Sequence, residues 1–263
     1  MGECILQKRS VGQSGIEVSI LGLGTVKFGR NLGVKYPTAF ALPSDNEIVN
    51  LLRIATEQGI NLLDTAPAYG SSEERLGALL GVSRHDWIIT TKVGEEFING
   101  ESHYDFSPQA VSHSIERSLQ RLRTDYLDIV LAHSNGEDRR IIEQENIFTT
   151  LSTLKKEGKI RAYGMSSKTV VGGLLTVDLA DVAMVTLNST CTDDSEVIAY
   201  AHQKQKGIFI KKSLDSGHLS SSIADNMRFV FAKPGVSSVI VGTINSYHLR
   251  ENAENVQALP YDL

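Results

Sequence analysis

Eight times along this chain, a short apolar run rich in β-branched residues gives way to a polar turn and then to apolar residues at helical spacing. Strand-like runs fall at EVSILGLG (17–24), INLLD (60–64), WIITTK (87–92), YLDIVLAH (126–133), IRAYGMS (160–166), VAMVTLN (182–188), IFIKK (208–212) and SSVIVG (237–242). In DNEIVNLLRIATEQG, Ile48, Leu51, Leu52 and Ala55 share one helical face and Gly59 supplies a stop. Ser107 and Pro108 form the N-terminal signal of a helix to 122, 141–158 reads as one helix, and a short helix covers 170–175. Alternating units imply a parallel sheet. Eight of them in 263 residues imply a single α/β domain over 1–263, a closed (β/α)8 TIM barrel. An open doubly wound sheet is the alternative. Two short runs around the turn residues of VGQSGIEV imply a β-hairpin over about 4–19 that plugs the bottom of the barrel.

Composition narrows the partners. A formal net charge of -5 argues against nucleic acid, whose phosphates call for a basic face. Cys4 and Cys191 are too few and too far apart for a disulfide framework or a zinc site, so no metal is expected and a reducing cytoplasm is. No apolar run reaches the roughly 18 residues of a membrane span, and MGECILQKRS lacks the pattern of a signal peptide or of a myristoylation site. A small-molecule ligand is the expected partner, and oligomeric state is not legible.

Barrels of this kind place their chemistry at the C-terminal ends of the strands. Those ends carry Gly24 and Thr25, Asp64, Lys92, His133, Ser166 and Ser167, Asn188, Lys211 and Lys212, and Gly242 and Thr243. Any one alone reads as a solvated loop residue, but closure brings them to one mouth. Lys92 ends an apolar strand and Asp64, ending the preceding one, is its natural counter-charge. A charged Lys92 beside Tyr69 is expected to lower the phenol's pKa from about 10 toward working pH and so make it a general acid. His133 can hydrogen-bond the same reacting oxygen. The set suits protonation of a carbonyl oxygen as a nucleophile attacks carbon; Schiff-base chemistry on Lys92 is a second possibility.

The segments LGLGTVKFG, GINLLDTAPAYGSSEERLG, IITTKVG, SLQRLRTDYLDIVLAH, LKKEGKIRAYGMSS and PGVSSVIVGTINSYHLRENAENV resemble, in order and over almost the whole chain, the aldo-keto reductase superfamily. The resemblance implies a barrel that binds NADP(H) or NAD(H) without a Rossmann fold and acts on carbonyl or alcohol substrates. GLGTVK agrees with this, since Lys27 stands where a dinucleotide fingerprint has its third glycine. The implied catalytic residues are Asp64, Tyr69, Lys92 and His133: Tyr69 as proton donor, Lys92 tuning it, Asp64 anchoring Lys92, and His133 orienting the substrate.

For the cofactor, the resemblance implies Gly24 and Thr25 near the nicotinamide and Ser166, Ser167, Thr186 and Asn188 near its carboxamide. Ser167 and Thr186 stand where Asn and Gln are expected. Lys211 stands where an aromatic is expected, followed by Ser213, Leu214 and Gly217. The last strand–helix unit, whose N-terminal amides attract anions, contributes Gly242, Thr243, Asn245, His248, Arg250, Glu251 and Asn252 to the adenosine end. His248 in place of a phosphate-gripping arginine leaves the choice between NADPH and NADH open.

The loop VGEEFINGESHYDFSP, with Phe97 and Tyr104, is expected to wall the substrate, with NLGVKYPTAFALPS as a second wall. The chain ends at LPYDL, where members of this superfamily often carry a further loop, which implies a more open pocket. A barrel that keeps the cofactor but not the catalysis is the remaining alternative.

Overall fold

The computed structural model describes residues 5–217 and 222–259. The chain ending 260–263 therefore lies outside the described residues. Strands β1 (Lys8–Ser10) and β2 (Glu17–Ser19) pair antiparallel as the expected hairpin. The chain continues through β3 (Leu21–Gly24), α1 (Val26–Gly29), α2 (Asp45–Glu57), β4 (Leu62–Asp64), α3 (Ser72–Leu80), β5 (Ile88–Val93), β6 (Glu95–Ile98) and β7 (Glu101–Tyr104). After these come α4 (Pro108–Leu122), β8 (Leu127–His133), α5 (Asp138–Glu143), α6 (Ile147–Lys156), β9 (Ile160–Ser166) and α7 (Val170–Leu179). The last elements are β10 (Val182–Thr186), α8 (Ser195–Gln203), β11 (Gly207–Lys211), α9 (Ile223–Phe231), β12 (Ser238–Val241) and α10 (Ser246–Gln257).

Eight parallel strands close in the order β3-β4-β5-β8-β9-β10-β11-β12, with β12 returning to β3. The fold is a TIM barrel, as the alternation implies. Strands buried on both faces explain their unbroken apolar runs. On β11, Phe209 points into the barrel among Leu62, Ile129, Leu131 and Met184, while Ile208 and Ile210 face the helices. The hairpin contributes Val11, Ile16 and Val18 to that interior cluster. Gly207 admits it, because a Cβ there would collide with the Val11 side chain. At the same end, buried Asp128 accepts from Arg84 at 2.9 Å, Arg161 at 2.7 Å and the Ile89 amide at 3.0 Å, which satisfies its carboxylate.

Two elements differ from expectation. The helix expected over 141–158 is two, α5 and α6, because Asn146 takes a left-handed conformation (φ 52°) that no helix interior accommodates. The loop after Lys92 is a β-hairpin, β6 paired with β7. Its turn is Asn99-Gly100, both at positive φ, the pairing that a two-residue hairpin turn requires.

Candidate active site

The site is built from the strand ends upward. β4 stops at Asp64, and the chain turns through a single 3-10 turn, Pro67–Tyr69. Gly70 then leaves at φ 61°, where a Cβ would strike the Gly29 carbonyl oxygen. Hydroxyls lock the base of this turn: Thr25 Oγ1 donates to Asp64 O at 3.0 Å, Thr65 Oγ1 donates to Ser72 Oγ at 3.0 Å, and Ser72 Oγ donates to Thr25 O at 3.0 Å. Tyr69 is thereby held over the mouth.

Lys92 is almost fully buried. Its Nζ donates to Asp64 Oδ1 at 2.7 Å and to Thr65 O at 2.9 Å, and lies 4.7 Å from the centre of the Tyr69 ring. Burial works against its charge, but Asp64 and Tyr69 outweigh it and raise its pKa. The Tyr69 phenol moves opposite to the expectation from sequence. Burial is the larger effect, and with Asp64 it raises the pKa despite Lys92. Strand-end enclosure is therefore tighter than a single nearby cation can offset.

The His133 ring stands 6.3 Å from Tyr69, nearly perpendicular to it. Burial, with Lys92 and Lys211, lowers its pKa against the pull of Glu95. Glu95 Oε2 sits 2.6 Å from His133 Nδ1. Although Glu95 is itself buried, His133, Ser102 and Arg30 hold its pKa down to about 2. Glu95 went unnoticed in the sequence because only the hairpin turns it toward β8; the Asn99-Gly100 pair was the available signal.

The tetrad opens on a cavity of about 950 Å³. Gly24, Ser166, Ser167, Thr186, Lys211, Ser213, Leu214, Gly217, Gly242, Thr243, His248, Glu251 and Asn252 line the same cavity. Thr25, Asn188, Asn245 and Arg250 do not. Thr25 is consumed by the hydroxyl cluster. Asn188 donates to Lys212 O at 2.9 Å and accepts from the Thr190 amide at 2.9 Å. Asn245 caps α10 by accepting from the amides of Tyr247 and His248. Arg250 pairs with Glu57 at 3.1 Å on the surface. Phe97 and Tyr104 also lie outside the lining: Phe97 stacks under Arg30, and Tyr104 stacks on Phe106. The second expected wall does reach the cavity, through Lys35, Tyr36, Pro37 and Thr38.

Lining residues absent from the sequence reading include Lys168 and Thr169. Buried Asp138 holds that turn by accepting from the amides of Lys168 at 2.9 Å and Thr169 at 2.8 Å. Lys211 Nζ donates to Ser166 Oγ at 2.8 Å and Ser167 O at 2.6 Å. Burial, then Lys212, pushes its pKa down to about 7. Ser167 Oγ and Asn252 Oδ1 are buried lining atoms with no hydrogen-bond partner in the protein. A long cleft with several lysines and two orphaned polar atoms fits a dinucleotide phosphate ligand. No cluster of metal-ligating side chains occurs among the described residues.

The profile of the aldo/keto reductase family matches residues 20–228. This chain belongs to the aldo/keto reductase family. A solved structure from Pseudomonas aeruginosa, provisionally named an aldo-keto reductase, is 47% identical, covers 95% of this chain and 94% of its own, and superposes with a TM-score of 0.88. An uncharacterised oxidoreductase of Bacillus subtilis, YqkF, is 27% identical over 96% of this chain and 92% of its own. The NADH-specific methylglyoxal reductase of Escherichia coli is 31% identical over 62% of this chain and 52% of its own. This aldo-keto reductase is thus an NAD(P)-dependent oxidoreductase on a TIM barrel. No helix among the described residues is long and apolar enough to cross a membrane.

Proposed function

We propose that this aldo-keto reductase interconverts a small carbonyl compound and its alcohol, with Tyr69 as proton donor and acceptor. One observation carries the reading: buried Lys92 is held by Asp64 at 2.7 Å while facing the Tyr69 ring. The raised phenol pKa keeps the proton on Tyr69 Oη at neutral pH, ready for a substrate oxygen. As that proton leaves, the phenolate meets the Lys92 ammonium, an interaction stronger in the transition state than before it. A nicotinamide cofactor held by the residues assigned below would supply the electron pair, as hydride, to the carbonyl carbon. Asp64 keeps Lys92 charged and fixed.

Schiff-base chemistry on Lys92 needs a neutral amine, and its raised pKa opposes that. A non-catalytic barrel would leave a bonded Lys92–Asp64 pair facing Tyr69, with His133 on the same cavity, without use. Ser166, Ser167, Lys211, Thr243, His248 and Asn252 are the residues we assign to the cofactor, with binding not restricted to NADPH. With only two cysteines in 263 residues, a reducing cytoplasm is the compartment we assign.

The test is Tyr69→Phe. Carbonyl reduction should fall at least 10²-fold, the usual size of a general-acid contribution, while cofactor fluorescence titration is unchanged. Retention of full activity in that variant would sink the assignment.

A further inference from the structure

Glu95 reaches the site from behind the four residues assigned above. It opens β6, directly after the turn that follows Lys92, and is 8% exposed. Its Oε1 accepts from Ser102 Oγ at 2.6 Å across the hairpin, and its Oε2 lies 2.6 Å from His133 Nδ1. That last approach is not in line for an ideal hydrogen bond. Even so, two electronegative atoms at this separation share a proton or repel. The carboxylate is ionised at any working pH, held down to about 2 by His133, Ser102 and Arg30. The shared proton therefore belongs to Nδ1. Turning the ring over would set a C–H against a buried carboxylate and leave its charge poorly compensated.

The other edge of the ring is the one left to the cavity. His133 Nδ1 is sealed from solvent, while 20% of the side chain stays open and the residue lines the cavity. The groups around the ring are Glu95 from β6, Lys92 from β5, Lys211 from β11 and Tyr69 from the turn after β4. Burial and the two lysines favour the neutral ring. A neutral imidazole carries one N–H. With it on Nδ1, Nε2 holds a lone pair.

We propose that Glu95 is a positioning residue that fixes the His133 tautomer, so that Nε2 meets the substrate as a hydrogen-bond acceptor and selects an oxygen that bears hydrogen. This rests on the reading of the site given above. Tyr69 and His133 then divide the polar work: the phenol exchanges its proton with the reacting oxygen, and the imidazole accepts from a hydroxyl on the carbon beside the carbonyl. A simple aldehyde offers nothing to the second group.

Two measurements test it on the full chain. Ring-nitrogen NMR of histidine-labelled protein, with His133 assigned by its loss in His133→Asn, should give the Nδ1–H tautomer at neutral pH. Glu95→Leu should convert it to mainly Nε2–H, and Ser102→Ala should leave it at Nδ1–H although the hairpin bond is lost. Nε2–H in the wild type, or the same tautomer in wild type and Glu95→Leu, overturns the proposal. Second, the ratio of kcat/KM for glyceraldehyde over propanal should fall about tenfold or more in Glu95→Leu; an unchanged ratio also overturns it. The NMR arm needs no turnover. A wild type that reduces neither aldehyde therefore counts against the function proposed for the site, and the tautomer is still judged.

Discussion

Lys211 ends an apolar strand and spends two of its three donors on Ser166 Oγ and Ser167 O. Its pKa, about 7, is low because burial and neighbouring Lys212 and Lys92 penalise the ammonium. A phosphate-bearing ligand adds negative charge to the cleft and raises that pKa, so the complex binds more protons than the free protein at about pH 8. Affinity should therefore fall as pH rises from 7 to 9. Calorimetric titration of cofactor in two buffers of different ionisation heat should report a fraction of a proton taken up in the wild type, and none in Lys211→Met. No uptake in the wild type would separate Lys211 from the phosphate. Residues such as Asp64, Lys92 and His133 were legible because each closes an apolar strand, where a polar side chain needs a reason. Glu95 was not, since its partner lies on another strand and a hairpin must bring them together. The direction of the Tyr69 shift was not legible either, because it depends on how completely the mouth encloses the ring.

At the scale of elements, the strands were legible from their double-sided apolar runs, and the helices from their 3.6-residue period. The break at Asn146 was hidden, because apolar residues on both sides keep a helical rhythm while a single left-handed residue turns the chain. Thr25, Asn188 and Asn245 stand at strand or helix ends like the lining residues, but their side chains are spent on the backbone around them. Charged residues inside elements hold elements together instead. Asp128 within β8 joins Arg84, Arg161 and the backbone of β5. Its removal leaves Arg84 buried without its carboxylate, so Asp128→Ala should lose about 3–5 kcal/mol of stability. Urea unfolding checks this: a midpoint within error of the wild type would mean that the network contributes nothing. Cofactor affinity, measured below the unfolding transition, should stay within twofold, because Asp128 lies at the opposite end of β8 from His133.

At the scale of the molecule, repetition made the barrel legible, and closure put chemistry from distant parts of the chain at one rim. Closure also decides which cofactor phosphate can be gripped. The last helix, α10, offers its N-terminus to the cleft, but Asn245 already accepts from the amides of Tyr247 and His248. The nearest basic side chain further along α10, Arg250, is tied to Glu57 of α2 and is outside the cavity lining. His248, which lines the cavity, is left as the basic side chain of α10 for the adenosine end that we propose lies there. A single imidazole gives less to a 2′-phosphate than a guanidinium that binds two oxygens at once. NADH and NADPH should therefore bind within 100-fold of each other, a difference below about 2.7 kcal/mol. At equal saturating concentrations, they should raise the unfolding temperature by amounts of the same order. His248→Arg should add a bidentate partner and shift the ratio toward NADPH by about tenfold or more. Fluorescence titration of both cofactors on both proteins measures this. Wild-type NADPH binding more than 100-fold tighter would mean that another residue of the cleft grips the 2′-phosphate, with Lys27 and Lys212 the first to be substituted.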